Sequence, residues 1–180
     1  MRKLIFAIIM TLSVFTAIGK DVASKQCGYF GTTRASFIIS DCSPYRPGLG
    51  FSVDVINGYS FNHWFSLGGG ISAIYSIEEG GNNVRVPIYI HLRADVLNRK
   101  VTPFFALNLG GGFCKGYLQK IINGADAEAN GCYGFYSIEP QAGIAVRLKN
   151  GKLIDCGVSA HADFGRGINV IGKFGVGFTW

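Results

Sequence analysis

The chain has 180 residues, 48% of them hydrophobic and 16% charged, with 26 glycines and a formal net charge of +6. Intrinsic disorder, which needs low hydrophobicity and high charge, is excluded. So is a helical bundle, because glycine in a helix interior costs about 1 kcal/mol and here recurs at roughly every seventh position. Glycine and aromatics at this density indicate an all-β chain of one domain.

Arg2 and Lys3 precede an apolar stretch from Leu4 to Ile18 that is interrupted only by Thr11, Ser13 and Thr16. It is short of the ~20 residues that a spanning helix needs and suits the core of a signal peptide. Ala17-Ile18-Gly19 offers small residues for cleavage, giving a signal peptide over 1–19 and a barrel domain over 20–180. Removal of the first segment lowers the formal charge to +4, and no basic run reads as a nucleic-acid site. Ser24-Lys25-Gln26 before Cys27 is too polar and bulky for a lipid-attachment signal.

From Gly28 onward the hydropathy alternates with period two, the mark of strands with two unlike faces. In chain order the predicted strands are 29–39, 49–55, 65–75, 84–96, 101–113, 136–148, 154–164 and 168–180. Val84, Val86, Ile88, Ile90 and Leu92 share one face of the fourth, and Ile168, Val170, Phe174, Val176, Phe178 and Trp180 share one face of the last. Short connections at 57–61, 97–100 and 149–151 alternate with 41–48, 77–83, 115–134 and 165–167, and Lys149-Asn150-Gly151 fits a hairpin loop with Gly151 left-handed. These features predict an eight-stranded antiparallel up-and-down transmembrane β-barrel.

Alternation alone leaves open which face turns outward. A secreted soluble ligand-binding barrel, lipocalin-like, would place the apolar rows inside. The absence of charge from those rows favours lipid, where a charge at mid-membrane costs about 2–4 kcal/mol. The opposite rows carry Arg34, Arg85, Arg93, Arg147 and Lys173 against Asp54, Asp95, Glu139, Asp155 and Asp163, a balance that suits a closed interior. With His161 these form the predicted interior ionic network. A first loop centred near Pro44 sets Arg34 opposite Asp54. A turn centred on Asn150 sets Glu139 opposite His161, with Asp155 diagonal to Arg147. Tyr89 is expected to fill the space left by Gly68, Gly70, Gly110 and Gly112 on neighbouring strands. Aromatics at strand ends, among them Tyr59, Trp64, Phe178 and Trp180, suit membrane interfaces.

Lys173, Gly175, Phe178 and Trp180 occupy the positions of the terminal assembly signal of Gram-negative outer-membrane barrels, with Trp180 where phenylalanine is commoner. With its eight predicted strands, the chain from residue 20 resembles the small outer-membrane β-barrel family of the OmpA-barrel, OmpX and OmpW type. The resemblance implies an outer-membrane location and recognition of the last strand by the barrel assembly machinery. Outer-membrane lipids are the expected surroundings, and a surface partner is expected to use the predicted loop 115–134 of a monomer.

A lipid-modifying enzyme is the remaining alternative, with Ser159, His161 and Asp163 on one strand face. Residues two apart on a strand stand about 6–7 Å apart, long for a nucleophile–base hydrogen bond, and this face is interior. Neither catalytic residues nor a cofactor are expected. His63, His91 and His161 are scattered without metal-ligand spacing. Of the five cysteines, Cys114 and Cys132 bracket the longest predicted loop and are the candidate disulfide, worth about 3 kcal/mol in a chain-entropy account. Cys27 and Cys42 lie at opposite ends of the first strand, and Cys156 sits in a lipid-facing row as a free thiol.

Overall fold

A computed structural model describes residues 27–40, 48–78, 81–122, 125–148, 151–165 and 168–180. The expected signal peptide and Cys42 lie outside the described residues. Eight strands follow in order: β1 (Gly28–Ser40), β2 (Gly48–Ser60), β3 (Phe65–Glu78), β4 (Gly81–Asp95), β5 (Val101–Ile122), β6 (Ala125–Arg147), β7 (Leu153–Phe164) and β8 (Ile168–Thr179). Each pairs antiparallel with its chain neighbours, and β1 pairs with β8, so the sheet closes into a barrel. Gly31 and Trp180 exchange both backbone hydrogen bonds at the seam, at 3.0 and 3.1 Å. Closure leaves no edge along most of the wall, as backbone surrounded by lipid requires.

The rows face as the charge pattern demands. Along β2 the burial alternates strictly from Phe51 to Asn57, with Phe51, Val53 and Val55 exposed and Ser52, Asp54 and Ile56 buried. Ile88 is 62% exposed, and Phe105, Val158, Phe174 and Val176 join it on the outer surface. The five arginines and lysines and five carboxylates predicted for the interior are all buried. A water-soluble barrel would reverse both sets, so the fold is that of a transmembrane barrel and the lipocalin-like alternative fails. Replacing Ile88 with arginine should therefore destabilise the barrel by about 2–4 kcal/mol, read as a lower urea midpoint in phospholipid vesicles. An unchanged midpoint would contradict a lipid-facing position.

Three boundaries differ from the sequence expectation. β2 runs to Ser60, so the first short turn is 61–64, where Asn62 Oδ1 accepts from the backbone N–H groups of Trp64 (2.9 Å) and Phe65 (2.8 Å). β3 and β4 leave only residues 79–80 between them. The predicted loop 115–134 is mostly strand, because the β5–β6 ladder continues to Ile122↔Ala125. Beyond Lys115 the ladder with β4 has ended, so the last part of this hairpin pairs only with itself and projects roughly 20 Å. A ribbon outside the wall needs no apolar row, so period-two hydropathy does not mark it. At the opposite rim Gly151 has φ +80°, the left-handed conformation expected of it.

Candidate functional site: the lumen

The lumen is filled in layers. Ile38, Ile74 and Ile171 form an apolar cluster toward the loop end, while Phe104, Ala106, Ala145 and Leu153 form another toward the short turns. Ionic side chains occupy the space between. This packing follows from strand number, since eight strands enclose a bore that side chains can fill.

Asp155 organises the half nearer the turns. Its Oδ1 accepts from Arg34 Nη2 at 2.5 Å, and its Oδ2 accepts from Arg93 Nη1 at 2.9 Å. Arg93 Nε also donates to Asp95 Oδ1 at 3.0 Å. Both guanidinium groups lie against the ring of Phe104, Arg93 at 4.2 Å and Arg34 at 5.5 Å from its centroid. Arg147 donates to Asn98 Oδ1 at 2.6 Å, on the adjoining turn.

Glu139 organises the other half. One of its oxygens accepts from Lys173 Nζ (2.8 Å) and lies 3.0 Å from His161 Nδ1, while the other accepts from Ser159 Oγ (2.8 Å) and Gln141 Nε2 (3.0 Å). His161 Nε2 is 2.6 Å from Asp163 Oδ1, and Arg85 Nε is 3.2 Å from Asp163 Oδ2. Gln141 joins the halves, because its Oε1 accepts from Arg34 Nη1. A buried carboxylate is tolerable only with such multiple donors.

All eleven predicted ionic residues are thus in the lumen. The register places Arg34 opposite Asp54, and its Ile138↔Ala162 and Gln141↔Ser159 pairs set Glu139 across from His161, as the loop centres predicted. Arg34 directs its ion pair across the lumen to Asp155, however, and Asp54 accepts from Tyr89 OH at 3.3 Å. Tyr89 stands between Gly70 and Gly110, and a Cβ built on Gly70 would fall 2.5 Å from its ring. Sequence reading missed Gln141, Phe104 and the His91–Asn108 hydrogen bond of 2.6 Å.

Ser159 donates to Glu139 rather than to His161, and His161 lies between two carboxylates, so the nucleophile–base contact of a hydrolase triad is not made. Of the residues at the expected assembly-signal positions, Lys173 turns inward to Glu139, while Phe178 and Trp180 face outward. Gly175 lies against Ser36, whose Oγ occupies the space a side chain would need.

The candidate disulfide is corrected. Lys115 pairs with Cys132 and Cys114 with Tyr133, so the two cysteines are offset by one residue and point to opposite faces. Cys114 is buried in the lumen, Cys132 is exposed, and both are free thiols, as is Cys156. A membrane-impermeant maleimide should label Cys132 without prior reduction and leave Cys114 unmodified until denaturation. Labelling of Cys132 only after reduction would restore the bridge.

No protein-family model matches the chain, and no curated protein matches it. Among solved structures, Neisserial surface protein A aligns with TM-score 0.66 and 13% identity, covering 84% of this chain and 96% of that one. Ail, the attachment invasion locus protein of Yersinia pestis, aligns with TM-score 0.52 and 16% identity over 86% of this chain and 100% of that one. The outer-membrane enzyme PagL aligns more loosely, with TM-score 0.44 and 12% identity over 82% of this chain and 97% of that one. The fold is therefore shared with small outer-membrane barrels.

Proposed function

We propose that the chain is a monomeric, non-enzymatic outer-membrane protein with a closed lumen, acting structurally or through the projecting β5–β6 hairpin. The observation that carries this reading is the continuous network from Arg93 through Asp155, Arg34, Gln141 and Glu139 to Lys173, which occupies the bore where a conducting pore would hold water. Ionic groups so paired bar free passage of ions, in contrast to the charged rings that line selective channels. Export by the residue 1–19 segment and recognition of β8 by the barrel assembly machinery belong to the same reading. So does contact of the hairpin with a partner outside the cell.

Fractionation and conductance test it together. The protein should require detergent for extraction, shift on an electrophoresis gel when boiled, and give no stepwise current in planar bilayers. Recovery in the soluble periplasm would overturn the membrane assignment, and steady conductance would overturn the closed lumen.

A further inference from the structure

One lumen carboxylate stands outside the ionic network. Asp54 is 4% exposed, and among the described residues its hydrogen bond comes from Tyr89 OH alone, at 3.3 Å. Arg34 lies opposite it in the β1–β2 ladder but commits Nη1 to Gln141 and Nη2 to Asp155, and its buried Nε has no hydrogen-bond partner. A carboxylate offers about four acceptor positions, so a buried one this sparsely served is costly.

Two hydroxyls beside it are unpartnered as well. Ser72 faces Asp54 across the β2–β3 ladder, and Ser52 sits two residues along β2 on the same inward face. Both are almost fully buried, and neither Oγ has a hydrogen-bond partner among the described residues. The two serines are diagonal in the ladder, with Cβ atoms roughly 7 Å apart. Two short hydroxyls cannot close that distance, whereas one molecule between them reaches both. The inward rows of β1 to β3 continue into Ile38 and Ile74 toward the loop end and into Ile56 toward the short turns, all buried. The polar groups are therefore walled off from either mouth.

Charge chooses the occupant. Among the described residues, five arginines and lysines and five Asp and Glu carboxylates are buried in the lumen, and an added ion would upset that balance. An anion would meet Asp54, and a cation would meet the Arg34 guanidinium. A carboxylate that only accepts, an N–H that only donates and two hydroxyls that do either suit a neutral molecule able to do both. We propose that Asp54, Ser52, Ser72 and Arg34 Nε form an internal hydration site, in which an ordered water bridges the two hydroxyls and donates to the carboxylate. A water held by about three polar partners is an integral part of a fold. Here it supplies Asp54 with a donor and leaves the Arg34 Nη groups free to span the lumen.

A crystal structure of the full chain in detergent, fine enough to place solvent, should show water about 3 Å from Ser52 Oγ, Ser72 Oγ and a carboxylate oxygen of Asp54. A Ser72 hydroxyl bonded straight to Asp54, with no solvent between the serines, would overturn the site. An anomalous-scattering peak there after soaking in rubidium bromide would overturn water in favour of an ion. Urea midpoints in vesicles give a second reading. The fall caused by Ser52→Ala should be at least halved when Ser72 is already alanine, because the bridge is then broken beforehand. Ser52→Ala with Ser66→Ala, whose hydroxyl pairs with Ser60 at 3.0 Å, should instead be additive. Additive falls for Ser52→Ala and Ser72→Ala would show that no molecule joins them, and the heat-induced gel shift confirms that each variant forms the barrel.

Discussion

Replacing Asp155 with alanine should destabilise the barrel by about 3–5 kcal/mol, the cost of stripping the partner from a buried charge. Its carboxylate accepts from two guanidinium groups, Arg34 at 2.5 Å and Arg93 at 2.9 Å, and its side chain has no exposed surface. Without it, both cations remain in the lumen with weaker compensation. The fall would appear as a lower urea midpoint in vesicles and a lower temperature for the shift from the compact to the unfolded gel band. Asp155→Asn should lose less, since an amide oxygen still accepts one hydrogen bond. Replacing Arg34 and Asp155 together by leucines should recover part of the loss, because removing both members of a buried pair spares an orphaned charge. If Asp155→Ala matched the parent, the network would not stabilise the fold.

Tyr89→Ala should cost a similar amount, about 3–5 kcal/mol, through the cavity that loss of a buried aromatic ring leaves. The ring fills the space over Gly70, and its hydroxyl donates to Asp54 at 3.3 Å. The converse change, Gly70→Val, inserts side-chain atoms where the ring lies and should cost about 1–3 kcal/mol by overpacking. Combining the two should cost less than the sum, because each change relieves the strain or the void created by the other. Strict additivity in urea midpoints would show that ring and glycine do not compete for one volume.

These two cases mark how far the residues alone reach. The fit of Tyr89 to Gly70 and Gly110 was legible because ladder register fixes the neighbours on adjacent strands, whereas Gly68 and Gly112, also expected to make room for it, lie against Asn57 and Gly58 and against Val86 and Pro87 instead. Arg34 opposite Asp54 was legible for the same reason, from the centre of one loop. The bond from Arg34 to Asp155 was not, since it crosses the lumen from β1 to β7 and depends on how the sheet curves. Phe104 escaped notice because an aromatic residue in a row of polar neighbours breaks the alternation by which inward positions are recognised; its ring serves the two arginines. The Cys114–Cys132 pairing failed for a different reason. Bracketing a loop fixes separation along the chain but not facing, and a one-residue offset across a ladder reverses the latter.

The long-range character of the ionic network bears on how such a chain can enter a bilayer. Arg34 and Asp155 are 121 residues apart, and Arg93 and Asp155 are 62 apart, so neither contact exists in a hairpin. A partly assembled sheet in the hydrocarbon phase would hold Asp155 apart from both of its guanidinium partners, at a penalty of several kcal/mol. Piecemeal, strand-by-strand insertion is therefore uphill until the first and last segments meet. The charges make burial in the acyl phase and the zipping of the seam a single concerted event.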